Sequence, residues 1–284
     1  MRPTWHFVTP EDILWLTELT APRVNALSAF MNRQMELDDA LFKKCNKIIA
    51  KALKGSNFLT RPEIGAILEK AGIATNDLRL TCIMMRAELD AVVCSGPRQG
   101  KQFTYALLKE RAPKAKVLKR DEALATLTDR YFASHGPATV EDLVWWSGLA
   151  KADVKLGIEM MGAKLQSEQI GKQTYWYADG QQPIKEATTY LLPNYDEYII
   201  AYKDRTAAFD PKANKISPRG NVIFNNTIIE NGVVTGTWKR TIMKDKVVIE
   251  PAIFIKPTKA RKELIAEAAD KYGAFLELNT QVNW

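Results

Sequence analysis

Two arginines seven residues apart, Arg79 and Arg86, lie in the stretch 76–90. Its apolar residues Leu78, Cys82, Met85 and Leu89 recur at helical spacing, so the two guanidinium groups share a face of their own. Downstream, the Gly-rich segment Ser95-Gly96-Pro97-Arg98-Gln99-Gly100-Lys101 carries two more cations, and Lys172 follows Gly171 in a second tight turn. Cations on one helix face and at loop tips suit polyanion chemistry, because neutralising phosphates releases their counterions. The charge distribution agrees. Residues 37–120 carry 17 Lys and Arg against 8 Asp and Glu, a net +9, whereas residues 1–36, 121–185 and 186–284 carry −1, −3 and +2 of the total +7. A solvated Lys-rich surface gives the same count, and the stripe Lys43, Lys47, Lys51 and Lys54 reads as such a surface or as a lateral phosphate contact.

Other chemistry lacks its residues. Cys45, Cys82 and Cys94 fall on apolar faces or in a strand, form no metal-spaced pair and have no adjacent base, so they read as buried thiols. With only His6 and His135 no metal site is expected, and no cofactor either. GxGxxG, GxxxxGK[ST], HExxH and GxSxG are absent. The apolar stretches are too short to span a membrane, and the N-terminus has no signal-peptide pattern, so a cytoplasmic protein without membrane association is expected.

The elements that hold the cations follow from periodicity and punctuation. Thr9, Thr60 and Thr139 each precede an acid three residues on and an aliphatic residue, the start signal of a helix. Residues 37–54 form an amphipathic helix with Leu41, Cys45, Ile48, Ala52 and Leu53 inward; a helix at 60–70 and another at 76–90 follow, then strands at 91–94 and 102–105 around the Gly-rich loop. Three helices and a hairpin make a winged helix. The order recurs with helices at 122–134, 141–146 and 151–161 and a hairpin of 164–170 with 173–178. Residues 1–36 supply a strand-like Trp5-His6-Phe7-Val8 and one long helix from Pro10, a remnant of an earlier unit. After 186 the texture turns to strands at 188–192, 222–230, 233–240 and 247–255, with Asn231-Gly232 as a hairpin turn, a helix at 258–272 and a last strand at 275–278. The expected fold is α+β: a remnant at 1–36, tandem winged-helix units at 37–119 and 120–185, and a β-rich module at 186–284.

Four phrases resemble a known family, the winged-helix DNA-binding proteins that include the AlkZ-like (YcaQ-like) DNA glycosylases. They are Met1-Arg2-Pro3-Thr4-Trp5-His6, similar to that family's Arg-x-Thr-x-His segment; 131–149 around His135-Gly136-Pro137-Ala138-Thr139; Leu192-Pro193-Asn194-Tyr195-Asp196-Glu197-Tyr198 through Lys203-Asp204-Arg205; and Gly236-Thr237-Trp238-Lys239. They occur in the family's order and cover essentially the whole chain. The resemblance implies excision of alkylated or crosslinked purines from double-stranded DNA. It also implies a catalytic Gln-hydrophobic-Gln or Gln-x-Asp motif upstream of the Arg-x-Thr-x-His segment. Arg2 opens that segment, so the motif is expected before residue 1, no residue of this chain is expected to be catalytic, and the chain alone is expected to be inactive or impaired.

The chemistry of glycosidic cleavage asks for a carboxylate or amide that positions water. Asp196 and Glu197 have the right groups, or else fix the junction between modules. For DNA contact, winged-helix docking assigns Arg79 and Arg86 to the reading helix, Arg98 and Lys101 to its wing and Lys172 to the next wing. His6 either faces a groove with Arg2 and Thr4 or is a satisfied structural histidine. Of Trp145 and Trp146, adjacent on a helix, one is expected in the core. Trp238 and Lys239, at a strand end, are candidates for DNA or for structure. A non-catalytic regulatory or architectural DNA-binding protein and a protein-binding winged-helix scaffold are the alternatives.

Overall fold

The computed structural model describes residues 4–180, 188–209 and 225–284. The chain divides into two compact units, Met1–Ala178 and Asp179–Trp284.

The first unit opens with α1 (Ile13–Gln34), α2 (Asp39–Leu53), β1 (Leu59–Thr60), α3 (Arg61–Lys70), α4 (Arg79–Leu89), β2 (Val93–Ser95) and β3 (Thr104–Leu107). The three-helix-and-hairpin order expected for 37–107 is present, with the strands about two residues later than periodicity placed them. The short β1 joins them in an antiparallel sheet of order β1-β3-β2. The buried faces are also rotated from expectation. α2 buries Phe42, Cys45, Ile49 and Leu53, and α4 buries Cys82, Ile83, Met84 and Ala87 while Leu78 stays exposed. These side chains pack on Ile64, Leu68, Val93 and Leu107 in one core, each large aliphatic contributing about 1.5–3 kcal/mol on burial.

After the single turn α5 (Leu108–Arg111) come α6 (Arg120–His135), α7 (Val140–Ser147), α8 (Lys151–Met161), β4 (Leu165–Ile170) and β5 (Gln173–Ala178), the same order a second time. Two of the three predicted helix starts act as such. Thr60 gives its backbone N–H and hydroxyl to Glu63, both at 2.7 Å. Thr139 and Asp142 cap reciprocally, with the Thr139 hydroxyl accepting from the Asp142 N–H at 3.2 Å and the carboxylate accepting the Thr139 N–H at 2.9 Å.

Thr9 does not cap α1. Asp12 takes the N-cap position, and its carboxylate accepts from Thr9, from the Trp15 indole and from Arg130 of α6. Burial alone would raise that carboxyl, but these donors outweigh it and hold it below its ordinary value. The expected strand at Trp5–Val8 is not formed; the segment has no regular secondary structure and pairs with no sheet.

In the second unit β6 (Thr189–Leu192), α9 (Glu197–Ile200), β7 (Thr227–Glu230), β8 (Val233–Ile242), β9 (Lys246–Ile253), α10 (Lys259–Phe275) and β10 (Asn279–Val282) form a five-stranded sheet of order β10-β9-β8-β7-β6 with α10 against it. All neighbours are antiparallel except β10, which runs parallel to β9. Asn231 and Gly232 take positive φ of 49° and 83° between β7 and β8, as the hairpin signal required. The last strand lies at 279–282 rather than 275–278, because α10 runs on to Phe275 and is stopped by the left-handed Glu277. The first residues of the strand expected at 222–230 lie outside the described residues.

Candidate nucleic-acid interface

The hairpin β2–β3 carries the best-formed candidate surface. Gly96 donates to the Thr104 carbonyl at 2.8 Å, and Gln99 and Gln102 exchange backbone hydrogen bonds at 3.0 and 3.1 Å across the turn Gly100-Lys101. Between those two pairs, Pro97 and Arg98 stand opposite the single residue Phe103. Two residues against one is a β-bulge, a device that turns a side chain out of the regular alternation. Pro97 is tolerated there because the bulge asks no N–H of it. Here it lays the Arg98 guanidinium over the Phe103 ring at 4.6 Å from the centroid.

The Thr104 hydroxyl donates to the Pro97 carbonyl, and a Cβ on Gly96 would meet the Thr104 hydroxyl at 2.5 Å, so the base of the hairpin is closely fitted. Phe103 is nevertheless 65% exposed. Arg98 and Lys101 are exposed, and no salt bridge engages either among the described residues. A cleft of about 410 Å³ beside the hairpin is lined by Thr60, Pro62, Glu63, Gln99 and Gln102.

Arg79 and Arg86 are placed differently from expectation. Arg79, at the start of α4, donates through Nε to the Ala74 carbonyl at 3.0 Å and through a terminal nitrogen to the Met35 carbonyl. Arg86 bridges Asp39 at 3.0 Å and Asp90 at 2.8 Å over the Phe42 ring. Burial would lower its pKa, but the two carboxylates outweigh that and raise it. Both guanidinium groups therefore fasten α4 to its neighbours, and seven-residue spacing on an amphipathic helix cannot distinguish a free cationic face from a stapled one. Lys43, Lys47, Lys51 and Lys54 are exposed, as a solvated stripe would be. Lys172 is exposed at the β4–β5 turn.

Trp238 is a correction. It is 2% exposed, its indole donates to the Leu192 carbonyl at 2.9 Å, and its ring packs edge-on against Tyr272. Alternation on β8 puts it under the sheet with Ile228 and Val247, so its ring is covered by the core rather than presented to solvent. Its neighbour Lys239 points outward, opposite Glu250 on β9. The Thr4 hydroxyl lies 2.9 Å from His6 Nε2; Arg2 is outside the described residues. Asp196 caps α9 by accepting from the Tyr198 N–H at 2.9 Å, a structural use of that carboxylate. Trp145 is the exposed member of its pair, and Trp146 packs against Tyr131 and His135. The three cysteines are buried, and burial pushes each thiol up, away from nucleophilic use. Among the described residues no cluster of His, Cys, Asp and Glu could hold a metal ion, and no helix is long and apolar enough to cross a membrane.

One carboxylate was missed by sequence reasoning. Glu88, on α4, is raised to about 6 by burial, against the opposing pull of Arg61 and of the Trp5 indole that donates to it. No spacing rule marks it, because its burial comes from tertiary packing.

A relative described as an interstrand DNA cross-link repair glycosylase of Streptomyces sahachiroi is 24% identical over 172 residues, 56% of this chain and 46% of the relative. The match thus spans less than half of that protein. A solved structure, Streptomyces sahachiroi DNA glycosylase AlkZ, superposes with a TM-score of 0.77 at 20% identity, covering 100% of this chain and 80% of that one, a likeness of fold. The model of a family described as DNA glycosylase AlkZ-like matches residues 1–275, nearly the whole sequence, and the chain belongs to that family.

Proposed function

We propose that this chain is a DNA-binding scaffold of a repair glycosylase, its two helix–helix–helix–hairpin units acting as winged helices that grip double-stranded DNA carrying alkylated or crosslinked purines. The observation that carries the reading is family membership over residues 1–275. The bulged hairpin supports it, since it presents Arg98 and Lys101 to solvent with no salt bridge to either among the described residues. In this reading Arg98, Lys101 and Lys172 contact phosphates from the two wings, and Thr4, His6 and Lys239 are further candidate contacts. Arg79 and Arg86 hold α4 in place rather than reach the DNA. Contacts to phosphate position the protein without reading sequence, which suits an enzyme that must inspect any site. No residue of the chain is assigned a bond-breaking role.

The test is affinity for duplexes of unrelated sequence, with and without one interstrand crosslink, by mobility shift at fixed salt. Undamaged duplexes are expected to agree within a few-fold. A preference of about a thousandfold or more for one undamaged sequence would identify a regulatory protein and reject this reading.

A further inference from the structure

We propose that the Arg98–Phe103 pair at the bulge of the β2–β3 hairpin is a stacking site for an unpaired nucleobase. The site deepens the DNA-binding reading above and rests on it. Phe103 exposes 65% of its surface on a hairpin whose register would, without the bulge, have set Pro97 rather than Arg98 directly opposite it. Regular pairing puts Pro97 opposite Phe103; the extra residue replaces it with Arg98 and lays a planar guanidinium on one face of the ring at 4.6 Å. Such a pair is a flat, positively charged stack on which a base can continue, because every nucleobase has a π face and a flanking phosphate to neutralise.

Three features preorganise it. The reciprocal Gln99–Gln102 bonds close the tip, the Thr104 hydroxyl holds the Pro97 carbonyl, and Gly96 lies so close to Thr104 that a Cβ there would meet its hydroxyl at 2.5 Å. Lys101 stands in the turn between the two strands, free of any salt bridge among the described residues, where a phosphate beside the stacked base would lie. A paired base is stacked on both sides and offers no face, so the occupant is a base out of the duplex stack: a bulge, a base opposite an abasic position, or a strand end.

The experiment compares the whole chain with Phe103→Ala, Phe103→Trp and Arg98→Lys. Affinity is measured by anisotropy at one salt concentration for an intact duplex and for the same duplex with a single-base bulge. The wild type is expected to bind the bulged duplex roughly tenfold tighter, in line with loss of one base–aromatic stack. Phe103→Ala should abolish that preference while changing intact-duplex affinity less than about threefold, since Phe103 carries no charge. Phe103→Trp should retain it. Arg98→Lys, which keeps the charge but loses the plane, should weaken it. An equal fall for both duplexes in Phe103→Ala, or an unchanged preference, overturns the stacking site while leaving the DNA reading intact. Absence of wild-type binding to either duplex overturns the DNA reading and the site with it.

Discussion

Replacing Glu88 by Gln is expected to make the protein less sensitive to alkaline pH. Burial raises the Glu88 carboxyl from its ordinary 4.5 to about 6, although Arg61 and the Trp5 indole both favour the ionised form. An acid with a raised folded pKa binds its proton more tightly in the folded state. Its contribution to stability is therefore complete below about pH 4.5 and is lost as pH rises through about 6. A difference of roughly 1.5 units at about 1.36 kcal/mol each gives at most about 2 kcal/mol, reduced by whatever solvent reaches the partly exposed group. Glu88→Gln mimics the protonated acid and keeps an acceptor for the Trp5 N–H.

Urea unfolding followed by far-UV circular dichroism, at half-unit steps from pH 4.5 to 8, measures the effect. Asp12, Glu63, Glu110 and Glu230 are held low and change stability in the opposite sense, mainly below pH 4.5. Taking the difference between variant and wild type cancels them. The two proteins should differ little in pH dependence near 4.5, and the variant should gain up to about 2 kcal/mol relative to wild type by pH 8. A relative loss with rising pH would mean instead that attraction to Arg61 dominates over burial.

Other outcomes follow from packing. Gly157→Ala on α8 would put a Cβ 2.2 Å from the Thr128 hydroxyl of α6. It should cost about 1–3 kcal/mol by thermal unfolding, largely rescued in the double variant with Thr128→Ala; simple additivity of the two would reject the clash. Trp238→Ala should destabilise the second unit by about 3–5 kcal/mol, whereas Trp238→Phe, which loses the bond to Leu192, should leave DNA affinity unchanged under folded conditions. A selective loss of affinity in the folded Phe variant would restore Trp238 as a contact.

Much of the scaffold could be read from local signals, because caps, hairpin turns and 3.6-residue periodicity are local physics. The Asn231-Gly232 turn, the Thr60 and Thr139 caps and both three-helix-and-hairpin orders are of that kind. What periodicity missed was decided by partners distant in sequence. Arg86 looks like a free cation until Asp39 and Asp90 are seen beside it, and Trp238, expected near a strand end, looks available until β8 is seen to run on to Ile242 with α10 covering the ring. The Arg98–Phe103 stack needed the register of the hairpin. Taking Gly100-Lys101 as the two turn residues pairs Gln99 with Gln102 and makes Arg98 and Phe103 cross-strand neighbours, so that signal was present but unused.

The proposed contact of exposed hairpin cations with DNA phosphates can be measured as a salt dependence. The direct measurement is fluorescence anisotropy of undamaged duplex DNA across a salt series, for the wild type and for Arg98→Ala/Lys101→Ala/Lys172→Ala. Log affinity is expected to fall linearly with log salt, and the variant's slope to be shallower by about 2–3, near one per phosphate contact removed. An unchanged slope in the variant, or no salt-dependent binding by the wild type, would contradict the proposed contact.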